Sequence, residues 1–167
     1  MNFRYGITPL ALVLLAATQL GGCGFQLRGN TALPQDIRTV HVNAPAELRD
    51  EIRIYLESGG VAFADSRAGA DASINVTREA FDRRVLSVDP TTGKEREFEL
   101  VYTVDFNVMR ESGAPVLSGE SISLLRDFVF DPDSVIGKSR EEGVLQQEMR
   151  RDAAQQLLRR LQASLNH

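Results

Sequence analysis

The chain has a single cysteine and two histidines in 167 residues, and these scarcities narrow the chemistry it can support. One cysteine excludes an internal disulfide, and it stands beside an apolar run near the N-terminus rather than in a spaced ligand set. The histidines are His41, at an outward phase of a short strand, and His167, the terminal residue. A Ser-His-Asp site or a histidine-based metal site therefore has little to draw on. A basic excess is lacking too. Nineteen Lys and Arg face 23 Asp and Glu, a formal charge of −4, without the broad cationic surface that counterion release demands of a nucleic-acid binder. Gly137-Lys138-Ser139 looks like the end of a phosphate-binding loop, but the glycine required five residues earlier is Pro132. Past the N-terminus no apolar stretch approaches the roughly 20 residues of a membrane-crossing helix.

What is present begins with a secretory leader. Met1 to Pro9 carries one charge, Arg4, and Leu10 to Ala17 is almost wholly apolar, the n- and h-regions of a signal peptide. That run is about half of a span. Leu20-Gly21-Gly22-Cys23 then resembles a bacterial lipobox, an aliphatic and two small residues before a cysteine. The expected organisation is a lipoprotein signal peptide over residues 1–22 and one mature domain over 23–167, anchored to the membrane by lipid on Cys23. Removing Arg4 leaves the mature chain one charge more acidic. Several acyl chains at about 0.8 kcal/mol per buried methylene anchor a protein where one would be marginal. Gly24 stands where an aspartate would retain an enteric lipoprotein at the inner membrane, which favours the outer membrane.

The mature chain reads as follows. Ile37 to Val42 alternates as a half-buried strand. Leu48, Ile52, Tyr55 and Leu56 recur at helical spacing between Pro45 and the Gly59-Gly60 stop. Val61 to Ala64 has room for a brief strand only. Ala72, Ile74 and Val76 hold one phase and Phe81 and Val85 the other, which places a bulge near Arg78 to Ala80. A turn at Asp89 to Lys94 leads into the clearest alternation in the chain, Phe98, Leu100, Tyr102, Val104, Phe106 and Val108. A last strand runs from Val116 to Phe130. Asp131-Pro132 looks like the start of a long helix striped by Leu145, Met149, Ala153, Leu157, Leu161 and Leu165. The expected fold class is α/β (α+β): a two-layer sandwich of order β-α-β-β-β-α, with a mixed, largely antiparallel sheet of about four strands and two helices on one face.

Two basic groups stand out, Lys94 with Arg96 beside the turn and Lys138 with Arg140 early in the last helix. If the three long strands run up, down and up, both groups lie at one end of the sheet, and the end bearing Cys23 lies opposite. Glu97 to Arg110 would span about 45 Å, so the domain is expected to be a wedge standing off a membrane. The carboxylates Glu95, Glu97, Glu99 and Glu141-Glu142 are read as a solvated face and helix-dipole compensation.

The leader Cys23-Gly24-Phe25-Gln26-Leu27-Arg28-Gly29, Glu97-Phe98-Glu99-Leu100, Arg126-Asp127-Phe128 and Glu142 to Leu161 together resemble the LptE family of lipopolysaccharide-assembly lipoproteins. The resemblance covers the whole mature chain. It implies a small non-enzymatic α/β domain without a cofactor or metal, lipid-anchored to the outer membrane on its periplasmic side. Its partners would be lipopolysaccharide and the LptD β-barrel, whose lumen it occupies and whose assembly it assists. Lys138 matches a basic residue of the family that contributes to lipopolysaccharide binding. The hairpin turn of the family can carry an arginine, where this chain has Thr91-Thr92-Gly93, leaving Lys94 and Arg96 as substitutes. The competing expectations are a lipoprotein that bridges other envelope components and a tethered periplasmic hydrolase, the latter lacking a visible nucleophile and base.

Overall fold

A computed structural model describes residues 33–34, 36–129 and 135–165, the last segment without side chains up to residue 140. The lipobox, Phe130, Asp131-Pro132, His167 and the side chains of Lys138 and Arg140 lie outside the described residues. Within them the order is β1 (Thr39–Asn43), α1 (Ala46–Ser58), β2 (Ala62–Ala64), β3 (Ala72–Val88), β4 (Glu95–Arg110), β5 (Pro115–Val129) and α2 (Val135–Leu165). The sheet order is β2-β1-β3-β4-β5. β1 is parallel to both β2 and β3, and β3, β4 and β5 form an antiparallel meander.

The α+β sandwich is as expected, with five strands instead of about four. The additional strand is β2, three residues pairing Ala62 to Ala64 with Thr39 to His41. It is too short for alternation to show in sequence. His41 is half-buried, and its Nδ1 lies 3.0 Å from the Ala64 carbonyl, so it ties this edge strand down.

α1 ends as its glycines dictate. Gly60 takes φ 81°, a conformation that costs other residues about 1–2 kcal/mol. The Gly60 N–H then reaches the Glu57 carbonyl at 3.0 Å and the Val61 N–H the Leu56 carbonyl at 2.9 Å, the double closure of a Schellman motif. Leu48, Ile52 and Leu56 of α1 and Met149, Ala153, Ala154, Leu157, Leu158 and Leu161 of α2 are buried against β1 and the alternate residues of β4. The two helices meet directly, and Gln155 donates to the Tyr55 hydroxyl at 2.6 Å.

The sheet is five strands wide only at its base. β1 pairs with β3 from Ala72 to Asn75, and beyond that β3, β4 and β5 continue as a three-stranded arm to the turn at 89–94. The register of β3 against β4 slips between Val76 and Arg78. This bulge, at Thr77, lies one residue before the expected stretch and turns Phe81 to the helix side.

Candidate functional site

The arm tip is built by a hairpin whose turn is closed locally. The Asp89 carboxylate accepts the N–H groups of Thr91 and Thr92, each at 2.9 Å, and Gly93 supplies φ 68°. The bonds from Thr92 and Thr91 hold the Asp89 carboxyl below the usual carboxylate range. It therefore stays ionised and meets Arg96 at 3.6 Å. Lys94 is exposed beside it. The tip is of mixed charge, since Arg83 also lies 3.6 Å from Glu95 while its guanidinium covers the Phe98 ring at 3.4 Å. Phe98 is only 1% exposed, and Arg96, two residues away, stands at a slip of the β3–β4 register. Val85, Leu86 and Val88 are exposed on the β3 side of the same turn.

α2 brings the second basic group to this end. Ser164 bonds to Val116 and Arg160 to Glu120 and Ser121, while Arg126 pairs with Asp152. Falling numbers on α2 thus meet rising numbers on β5, and the helix starts at the tip. From Asp152 back to residue 138 is about 21 Å of helix at 1.5 Å per residue. From Leu100, opposite Arg126, to Lys94 is about 20 Å of strand. Residue 138 of the helix backbone and Lys94 are therefore at one level, the arrangement expected from strand order.

A second cluster escaped the sequence reading. Tyr102, fully buried, donates its hydroxyl to Glu79 Oε1 at 2.8 Å. Arg150 of α2 meets the same oxygen through Nε at 3.0 Å and lies 4.9 Å over the Phe81 ring, which stacks on Tyr102 at 4.1 Å. Burial, then the Glu79 carboxylate, pushes the Tyr102 phenol far above its ordinary pKa. The group fixes α2 over the arm and offers no nucleophile. Its one sequence signal was Glu79, an acidic residue in phase with Phe81.

The base, where the leader enters, is held by carboxylates. Asp71 accepts the N–H groups of Arg38 and Thr39 at 2.8 Å and the Thr39 hydroxyl at 2.9 Å. These bonds, Arg38's first, lower its pKa. Arg110 meets Asp36 at 2.8 Å. The outer sheet face carries Asp82, Glu97, Glu99, Asp105 and Asp127, with Arg84 3.3 Å from Glu99 and Arg78 4.0 Å from Asp105. Among the described residues no group of three His, Cys, Asp or Glu is placed to hold a metal ion, and no helix is long and apolar enough to cross a membrane.

Comparison with known proteins agrees with this architecture. The solution structure of an uncharacterized lipoprotein B from Nitrosomonas europaea superposes with a TM-score of 0.69 and 29% identity, covering 84% of this chain and 91% of that one. The rare lipoprotein B from Shewanella oneidensis gives 0.65 and 27%, covering 77% and 99%. An LPS-assembly lipoprotein LptE from Pectobacterium atrosepticum is 31% identical, over 88% of this chain and 80% of its own length. Its namesake from Yersinia pestis is 30% identical, over 95% and 76%. The lipopolysaccharide-assembly model of the LptE family matches residues 36–161, from the Asp36 clamp at the base to Leu161 in the α2 stripe, and the chain belongs to that family.

Proposed function

We propose that this protein works in lipopolysaccharide assembly as an outer-membrane lipoprotein, tethered through Cys23 and seated in the lumen of the LptD β-barrel, where it supports the barrel and binds lipopolysaccharide. The observation that carries the reading is the family match over residues 36–161, which takes in every strand and both helices to Leu161. The shape is compatible with it. A barrel lumen is polar, and the open sheet face is mostly carboxylates, serines and arginines, with the apolar side chains largely kept between sheet and helices. The role is one of binding and scaffolding, without a reaction of its own.

Lys138, Lys94, Arg96 and Arg140 are proposed to meet phosphate or acidic sugar groups of lipopolysaccharide at the tip. Lysine in the opening turns of a helix opposes the helix dipole at a cost of about 0.3–1 kcal/mol, which an anionic ligand offsets. The triple variant Lys138→Asp, Lys94→Asp, Arg96→Asp should lose lipopolysaccharide binding while keeping its circular dichroism spectrum. In the wild type, binding should weaken as salt screens exposed charges. Unchanged binding by the folded triple variant would refute the tip site and leave the barrel reading standing. The barrel reading itself is tested by purification from native membranes. One large β-barrel should accompany the protein, whereas a mixture of envelope components would favour the bridging role.

A further inference from the structure

β5 closes the sheet order on one side, so for 15 residues one side of its backbone faces no strand of the described sheet. Which groups point that way follows from the ladder. The bulged Thr77 donates its hydroxyl to the Asp105 carbonyl at 3.1 Å, so Asp105 turns that carbonyl toward β3 and away from β5. Opposed residues of an antiparallel pair exchange both hydrogen bonds or neither. Ser121, opposite Asp105, therefore directs its own N–H and C=O to the open side. The register holds without a slip from Phe106 and Glu120 to Glu97 and Val129, so Ser123, Leu125, Asp127 and Val129 point there too.

An open edge of this length is a template for another strand. Here it is also apolar in part, with Leu125 49% and Val129 68% exposed. Two copies brought edge to edge about a two-fold axis would be self-complementary. Yet two of the outward carbonyls, those of Ser121 and Leu125, are met by side chains. Arg160 of α2 donates to the Ser121 carbonyl at 2.8 Å while Glu120 holds the same nitrogen at 2.9 Å. Arg126 donates to the Leu125 carbonyl at 3.0 Å and is held by Asp152 of α2. Nearer the base, the Ser164 hydroxyl donates to the Val116 carbonyl at 2.9 Å. We propose that Arg160, Arg126 and Ser164 form a guard along β5 that prevents strand addition by a second copy of this chain. The guanidinium groups occupy acceptors that an incoming strand needs and place positive charge where its own N–H groups would approach.

The test uses the full mature chain purified in detergent. Arg160→Met with Arg126→Met keeps the side-chain stems and removes the donors. Sedimentation across a concentration series should show self-association strengthened ~10-fold or more, while Arg159→Met, an exposed neighbour off the edge, leaves it unchanged. Adding Ser123→Pro removes an outward N–H without touching the β4 ladder and should return the double variant to the monomer. A folded double variant as monomeric as the wild type would overturn the proposal, as would association that persists with Ser123→Pro. Each single replacement is read in the same way, so instability of the double variant does not remove the test.

Discussion

At the scale of single residues, burial decides which changes matter. Phe106 and Leu157 are each 1% exposed, and an aspartate at either position places an unpaired charge in the core. Either variant should lose at least about 4 kcal/mol, enough to unfold many domains of this size. Glu99 on the outer face is partly covered, its one ion partner among the described residues being the exposed Arg84, and Glu99→Gln should cost less than about 1 kcal/mol. Chemical denaturation separates the two classes. The Glu79 cluster makes a sharper prediction. Arg150→Met leaves the Glu79 carboxylate, 9% exposed, with the phenol alone, and should cost about 2–4 kcal/mol. Tyr102→Phe should cost about 1 kcal/mol at neutral pH. The Tyr102 pKa is raised in the folded state, so the stability it contributes is present below the unfolded value of about 10 and is lost as pH climbs beyond it. Melting temperatures measured from pH 8 upward should fall more steeply in the wild type than in Tyr102→Phe. Parallel curves would show that the phenol is not linked to folding.

Among the elements, the strands reveal what periodicity can and cannot convey. The core row of β4 was legible because alternate residues from Phe98 to Val108 are buried, whereas Val101, 7% exposed on the opposite phase, was not. The β3 bulge was legible from the phase change between Val76 and Phe81. β2 was read only as a brief strand at Val61 to Ala64 and left out of the element order, since its three residues, one exposed and two half-covered, contain no period. Lys94, Arg96 and the start of α2 could be grouped from strand directions alone. The Glu79–Tyr102–Arg150 contact and the β5 guard could not, because they join residues far apart through the placement of α2 on the sheet, which leaves no local signal. The bulge also permits an experiment on register. Val76 opposes Phe106 and Arg78 opposes Asp105, so removing Thr77 joins two stretches whose faces already agree. That deletion should fold, losing about 1 kcal/mol with the Thr77 hydroxyl bond. Removing Thr103 from β4 instead turns half of its core row outward and should abolish cooperative melting. Equal behaviour of the two deletions would contradict the register.

Taken as a whole, the molecule is apolar between its layers, with charged residues at both ends and exposed Val85, Leu86 and Val88 beside the tip turn. No described helix is long and apolar enough to cross a membrane, and the anchor proposed is the lipid on Cys23. Cys23→Ala should yield a folded protein that leaves the membrane fraction or retains its leader. Mass spectrometry of a wild-type N-terminal peptide with an unmodified thiol would contradict the lipid anchor. The contrast between the five-stranded base and the three-stranded arm bears on the order of folding during export. The arm joins consecutive strands through short turns, so its loop-closure entropy is small. The base needs β1 to find β3 across an intervening helix and a third strand, and α2 then has to dock over both. In pulse-labelling hydrogen exchange, amides of β4 should gain protection before those of β1. The last part to become native is then the base, where the described chain begins at Leu33, so a chain tethered through the proposed lipid would still be completing the end from which its tether leaves.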